Sequence, residues 1–81
     1  MPVPRTNLKT AQYPLDLLIE AARRLIRHGE HTLAEELLRS VLAQDTDNPA
    51  ARRWLEYALE AQGKYNEAYK IHIQNKSVFK N

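Results

Sequence analysis

Two glycines, each followed five residues later by an alanine, recur 34 residues apart in this chain. Gly29 precedes Ala34, and Gly63 precedes Ala68. Each glycine is expected to end a helix, because glycine readily adopts the left-handed conformation of a helix stop. A fixed interval of this length is typical of stacked helix–turn–helix units. It therefore predicts two similar helical hairpins, at about residues 15–48 and 49–81.

Residues that favour helix starts lie at the matching places. Pro14 suits a first helical position, where its missing N–H costs nothing. Thr32 and Glu35 have the spacing of a capping box, which predicts that a second helix begins there. Asn48 is the expected N-cap of a third helix, with Pro49 as its first residue. A fourth helix is predicted from about residue 64 into the seventies.

Apolar residues at helical spacing define the predicted inward face of each helix. The second helix has an apolar surface wider than one stripe, which is expected of a helix packed between two neighbours. The predicted inward residues are Leu18, Ala21, Ala22 and Leu25 in the first helix, Ala34, Leu37, Leu38, Val41 and Leu42 in the second, Trp54, Leu55, Ala58 and Leu59 in the third, and Tyr65, Ala68, Tyr69 and Ile73 in the fourth.

Four helices with short connections and no strand pattern predict an all-α fold, in which antiparallel helical hairpins stack on one another. This helical domain is expected to span residues 14–81. Residues 1–13 contain two prolines and no helical periodicity, so they are predicted to form a flexible N-terminal arm. A generic four-helix bundle is the alternative architecture.

With these features the chain resembles the tetratricopeptide repeat family over roughly four-fifths of its length, as about two repeats. The family repeat is a 34-residue hairpin in which a glycine closes the first helix and a small alanine lets the second pack closely. At three family positions that prefer apolar residues, this chain has His72, Asn75 and Lys76. The matching landmarks are Gly29, Ala34, Leu38 and Val41 in the first repeat, and Leu55, Gly63, Tyr65 and Ala68 in the second.

The resemblance implies a non-enzymatic module that binds a peptide or helix of a partner protein in a concave groove. In the family, the first helix of each repeat lines that groove. Its arginines would pair with carboxylates of an acidic partner, and its isoleucines would hold apolar side chains. A small chaperone or adaptor is the more specific form of this expectation. The implied partner-binding residues are Ile19, Arg23, Ile26, Arg27, Arg53 and Tyr57.

Two other interpretations of the arginines remain open. Arg23 and Arg27 could be solvated, or paired with Glu20 and Glu30, and would then contribute little. A basic stripe could instead bind nucleic acid, but seven glutamates and three aspartates are interspersed with the basic residues, and no nucleic-acid motif is present. The stripe would comprise Arg23, Arg24, Arg27, Arg52, Arg53 and the lysines of the fourth helix.

The charge distribution favours self-association. The net charge of the whole chain is +2, but residues 14–47 sum to −3 and residues 48–81 to +3. Apolar residues near the C-terminal end are also expected to need cover. We therefore predict a homodimer, and a self-oligomerisation module is the alternative function.

Little in the sequence indicates chemistry. Without cysteine there is no disulfide or thiolate site, which is compatible with the reducing cytoplasm that we expect as the location. The three histidines lack the spacing of a zinc site, and His72 is expected to be a half-buried structural residue. We expect no catalytic residue, metal or cofactor, and no membrane partner, since no apolar run is long enough to span a bilayer.

Overall fold

The computed structural model describes the backbone of residues 13–80 and the side chains of residues 13–75. Apart from Tyr13, the predicted N-terminal arm (1–13) lies outside the described residues, and the domain and repeat boundaries stay predictions. The helices are α1 (Leu15–Arg27), α2 (His31–Gln44), α3 (Pro49–Ala61) and α4 (Tyr65–Lys80).

The helices stack in chain order as two antiparallel hairpins, α1–α2 and α3–α4. Helix α2 packs between α1 and α3, α3 packs between α2 and α4, and α1 also contacts α3. A closed four-helix bundle would bring α1 against α4, but no extensive contact joins these two helices within residues 13–80. The prediction of an all-α stack of hairpins is confirmed, and the stack is elongated, measuring 46 × 29 × 19 Å.

The two glycine turns have the same hydrogen-bonded structure. Gly29 has a φ of 81° and Gly63 a φ of 79°, both in the left-handed region. In each turn the glycine N–H and the next N–H bond back to the helix, which is the pattern of a Schellman motif. The donor–acceptor pairs are Gly29–Ile26 at 3.0 Å, Glu30–Leu25 at 2.8 Å, Gly63–Glu60 at 2.9 Å and Lys64–Leu59 at 2.9 Å.

Replacing Gly63 tests this turn. We expect Gly63→Ala to lower the free energy of unfolding by about 1–2 kcal/mol, because an L side chain is strained in the left-handed region. An added methyl group would meet no atom within 4 Å, so the whole cost arises in the backbone. Gly63→Asn should cost less, because asparagine tolerates this conformation better. Urea denaturation measures both variants, and equal stability of the two would contradict a left-handed turn.

The predicted start of α3 is confirmed. Pro49 is its first residue, and Asn48 is its N-cap. The Asn48 Oδ1 atom accepts a hydrogen bond of 2.9 Å from the Ala51 N–H. This bond satisfies one of the N–H groups that a helix start leaves without an intrahelical partner.

The predicted capping box of α2 is wrong. The helix begins at His31, and no side chain caps it. Thr32 Oγ1 instead donates to Gln62 Oε1 at 3.3 Å. Glu35 Oε1 accepts a hydrogen bond of 2.9 Å from Gln62 Nε2. Both side chains of the supposed box therefore bond to the second hairpin rather than to their own helix start.

The core lies between the two hairpins and depends on close helix approach. Leu38, Leu55, Leu59 and Val41 are its largest fully buried side chains. Alanines at most 2% exposed allow the helices to approach, and the wide apolar surface predicted for α2 is confirmed. These alanines are Ala22, Ala34, Ala51, Ala58 and Ala68.

Helix α1 is rotated relative to the predicted stripe. Ala21 is exposed, whereas Ile19 and Ile26 are buried at 8% and 9% exposure. The two isoleucines bury more apolar surface than an alanine does, so the face that carries them packs inward. Leu18 and Ala22 are buried as predicted, and Leu25 is half-buried.

Helix α4 also differs from its prediction. Tyr65, Tyr69 and Ile73 were expected to face inward, but they are 68%, 64% and 43% exposed. The inward face instead runs through Ala68 and the half-buried Ile71, followed by the polar residues His72 and Asn75. His72 Nδ1 lies 3.1 Å from Glu56 Oε2 on α3, so the predicted half-buried structural role of His72 is confirmed.

A polar network joins the two hairpins around the buried carboxylate of Glu35. Its oxygens accept hydrogen bonds from Arg39 at 2.9 Å, Gln62 at 2.9 Å and Lys64 at 3.0 Å. Arg39 also contacts Glu67 on α4 at 2.9 Å. Burial would raise the pKa of Glu35, but these hydrogen bonds outweigh it and lower the pKa from 4.5 to about 2.

Candidate partner-binding groove

A depression of roughly 440 Å³ lies between α1 and α3, the first helices of the two hairpins. We call it the α1–α3 groove. Since α1 and α3 contact each other, side chains of both helices line the groove. Its lining combines positive charge with aromatic surface, and consists of Arg23, Ile26, Arg27, Trp54 and Tyr57.

The aromatic part of the groove is a contacting pair on α3. The ring centroids of Trp54 and Tyr57 are 6.1 Å apart, and the rings are inclined at 63° in an edge-to-face arrangement. Trp54 is half-buried against the core, whereas Tyr57 is 51% exposed. The His31 ring lies 6.4 Å from the Tyr57 ring, at an interplanar angle of 52°. Contacts with two neighbouring rings restrain Tyr57 and reduce the number of orientations open to its exposed face.

Arg23 is held in place by neighbours within the protein. Its guanidinium lies 5.2 Å from the centre of the Trp54 ring, within cation–π distance. Its Nη1 atom also contacts Glu20 at 3.1 Å, so the predicted alternative pairing of Arg23 is present. The buried Nε atom has no hydrogen-bond partner in the described part of the chain. Arg23 therefore orients Trp54, and much of its charge is already balanced.

Beside the aromatic pair, Arg27 and Arg53 are the available cations in the described part of the chain. Both are exposed, and neither forms an ion pair within residues 13–75. Arg27 lines the groove itself. Arg53 lies one turn from Tyr57 on α3, in an adjoining depression that Trp54 and Tyr57 also line. The two guanidinium groups thus flank the aromatic pair, one from each helix.

Ile19 and Ile26 offer little surface to a partner. Both pack mainly into the core, although Ile26 still contributes to the groove lining. Ile19 does not line the groove. The structure therefore brings Arg23, Ile26, Arg27 and Tyr57 together, with Arg53 beside them, and places Ile19 below the surface.

Sequence reasoning missed Trp54 as a groove residue because its helical spacing with Leu55 and Ala58 indicated the core. A signal for its second role was present in the repeat. The residue 34 positions before Trp54 is Glu20, a polar residue next to the predicted groove position Ile19. A position that is polar in one repeat and aromatic in the next is typical of a half-exposed site.

The predicted nucleic-acid stripe is interrupted. Arg52 is only 8% exposed, and its Nη2 atom contacts Asp47 at 3.1 Å. Lys64 is paired with Glu35, and Arg23 with Glu20. Phosphate binding depends on clustered, available positive charge. These pairings count against a nucleic-acid function.

Among the described residues, no group of three or more histidine, aspartate or glutamate side chains is arranged to hold a metal ion. None of the helices there has the length and apolar character needed to cross a bilayer.

Comparison with protein-family models identifies a repeat family. The family model described as tetratricopeptide repeat matches residues 25–72, which is more than half of the chain. Neither the curated proteins nor the solved structures that were compared with the chain gave a match.

Proposed function

Because the chain belongs to the tetratricopeptide repeat family, we propose that it binds a peptide or helix of a partner protein in the α1–α3 groove. Repeats of this family are protein–protein interaction modules. The groove lies between the first helices of the two hairpins, where successive repeats form a continuous surface.

One observation carries the proposal: an aromatic pair flanked by two arginines that form no ion pair within residues 13–75. Exposed tyrosine and arginine are enriched among residues that dominate binding energy at protein interfaces. Tyr57 is already restrained by Trp54 and His31, so a partner would not have to order it. A site with prearranged side chains binds more tightly for the same contact area.

The arginines indicate an acidic partner. A guanidinium can donate two parallel hydrogen bonds to one carboxylate, and such pairs are stronger than neutral hydrogen bonds. Arg27 and Arg53 approach from different helices, so two carboxylates of one partner segment would be engaged at once. An apolar or aromatic side chain between those carboxylates would pack on Tyr57. Binding should weaken with added salt, because the arginines are exposed.

A small chaperone or adaptor that covers an exposed helix of its partner is the more specific form of this proposal. It is supported by the family assignment and by the open groove. The absence of cysteine is compatible with the cytoplasm, which remains the expected location.

Selection from a random dodecapeptide phage library tests the proposal. The selected peptides should be rich in aspartate and glutamate around one aromatic or aliphatic residue. For a fluorescein-labelled selected peptide, we expect Arg27→Glu combined with Arg53→Glu to weaken binding about 100-fold or more. Each lost charge-assisted contact costs on the order of 1.5 kcal/mol, a factor of about 10. Fluorescence anisotropy measures the dissociation constants.

The matched control reverses two charges elsewhere. Arg24→Glu with Lys70→Glu changes the net charge equally, and both side chains are exposed outside the α1–α3 groove. This control should bind within about threefold of the original chain, and circular dichroism should show equal helicity for both double variants. Selected peptides without acidic residues, or equal loss in the two double variants, would contradict the groove proposal.

A further inference from the structure

We infer that the two ends of the helical stack bind each other in successive copies of this chain, head to tail. This inference concerns faces other than the α1–α3 groove and does not depend on the proposed function. The large apolar side chains that are exposed in the described residues are concentrated at these ends. Five of them lie there: Leu17 at 58%, Leu33 at 49%, Tyr65 at 68%, Tyr69 at 64% and Ile73 at 43% exposure.

The 34-residue register identifies the exposed apolar face of α4 as a stacking face. Tyr65, Tyr69 and Ile73 follow His31, Glu35 and Arg39 by 34 residues. Each of these three α2 residues contacts the second hairpin. His31 contacts Tyr57, Glu35 contacts Gln62 and Lys64, and Arg39 contacts Glu67. The α4 residues therefore occupy the positions through which one hairpin contacts the next.

The same register identifies the opposite face on α1. Leu17, Ala21 and Leu25 precede Ala51, Leu55 and Leu59 of α3 by 34 residues. The three α3 residues are at most 1% exposed in the core between the hairpins. On α1 the corresponding side chains instead line an open depression of roughly 360 Å³. The α1 face is thus equivalent to the buried face of α3, and it is shaped to receive a helix such as α2 or α4.

Transferring one contact of the internal junction to two copies brings two apolar residues together. Inside the chain, Arg39 contacts Glu67 at 2.9 Å. Between copies, the equivalent contact joins Ile73 to Leu33 of the second copy. Both side chains are large, apolar and more than two-fifths exposed in the single chain. The ion pair at the junction inside the chain therefore corresponds to an apolar pair at the junction between copies. Burying that apolar pair stabilises the association, because it removes exposed apolar surface from water.

Charge supports the head-to-tail orientation over a face-to-face dimer. Residues 48–81, which contain α4, have a net charge of +3, and residues 14–47, which contain α1, have −3. Head-to-tail contact brings opposite charges together, whereas pairing two α4 faces would bring like charges together. A head-to-tail dimer leaves one face of each kind free, so the homodimer predicted from the sequence becomes the first member of a longer series.

Two double variants block one face each. Tyr69→Asp with Ile73→Asp blocks the α4 face. Leu17→Asp with Leu33→Asp blocks the opposite end, which comprises the α1 face and the neighbouring Leu33 on α2. Light scattering after size exclusion, over a concentration series, measures the mass. The original chain should grow beyond two copies of its 9.4 kDa mass as concentration rises, and each variant alone should stay at the monomer mass. Their equimolar mixture should form a dimer and nothing larger, because it contains one intact face of each kind.

The mixture separates the possible arrangements. If the original chain stays monomeric at about 1 mM, or the mixture stays monomeric, the inference is wrong. If the α1-face variant dimerises alone, the chains pair through α4 and the head-to-tail geometry is overturned. Tyr57→Asp with Arg53→Gln is the control, since it makes the same change of two charge units beside the groove and should preserve association. Serine at the same positions replaces aspartate if circular dichroism shows a loss of helix.

Discussion

Leu38→Ala is expected to lower the free energy of unfolding by about 2–5 kcal/mol, because it removes a fully buried side chain and leaves a cavity. Leu38 lies on α2, the helix that packs on both α1 and α3, so its loss affects both hairpins. A chain of this size has on the order of 4–12 kcal/mol of total stability. The substitution should therefore bring the domain close to unfolding, as measured by urea denaturation followed by circular dichroism.

Leu33→Ala is the matched control on the same helix. Its side chain is 49% exposed, and the substitution should cost about 0.5 kcal/mol or less at a concentration where the chain is monomeric. Leu38→Met, which nearly conserves volume, should cost less than about 1.5 kcal/mol and provides a folded variant for comparison. Equal losses for Leu38→Ala and Leu33→Ala would show that α2 does not pack between its neighbours as described.

The general architecture could be predicted because its signals are local. Gly29 and Gly63 mark helix ends through their own backbone preference, and Asn48 with Pro49 marks a helix start in the same way. These residues also recur at a fixed interval, which relates the two hairpins. Agreement between local preference and the repeat was sufficient to predict the stack.

The rotation of each helix about its own axis was predicted less accurately than the architecture, because it depends on which neighbouring helices pack against it. In α1, residues on two adjoining faces are apolar, and the pattern alone did not show which face meets α2 and α3. The structure buries Ile19 and Ile26 and leaves Leu17 and Ala21 on an open face. In a repeat array both faces would be covered, so both carry apolar residues.

The same ambiguity explains the error in α4. Tyr65, Tyr69 and Ile73 lie on an apolar stripe of their own, so the sequence favoured burying them. The other stripe contains His72, whose polarity is accommodated by Glu56 at 3.1 Å. A polar residue on an inward face is tolerated when it has a hydrogen-bond partner, and that partner was 16 residues away in the sequence.

In the candidate site, the family mapping identified the arginines and Tyr57. Which of the arginines are paired within the protein could be seen only in the structure. Arg23 and Arg27 are equivalent in sequence spacing, yet Arg23 is paired with Glu20 and stacked on Trp54. Arg27 and Arg53 remain unpaired within the described side chains. Which cation is available to a partner depends on side-chain contacts that helical spacing does not specify.

The Glu35 carboxylate should make the junction between the hairpins sensitive to acid. The pKa of Glu35 is lowered from 4.5 to about 2 in the folded chain. Between these two pH values the unfolded chain therefore binds a proton at Glu35 that the folded chain does not. Stability from this group is therefore fully present above about pH 4.5 and is lost as the pH falls toward 2. The shift corresponds to about 3 kcal/mol at most, since one pKa unit is about 1.4 kcal/mol.

Glu35→Gln isolates this contribution. At pH 7 we expect the variant to be about 1–3 kcal/mol less stable, because Arg39 and Lys64 lose their shared anion. Glu36→Gln, at the exposed neighbouring position, should change stability by less than about 0.5 kcal/mol. Urea denaturation at several pH values measures all three chains.

The decisive quantity is how the stability difference between the original chain and Glu35→Gln varies with pH. If the ionised carboxylate joins the hairpins, the difference should shrink as the pH falls from about 4.5 toward 2, since protonated glutamate resembles glutamine. The remaining ionisable groups are common to both chains, so their contributions cancel in the comparison. A difference that stays constant with pH would assign the loss to side-chain shape, and the junction would then owe its stability to packing rather than charge.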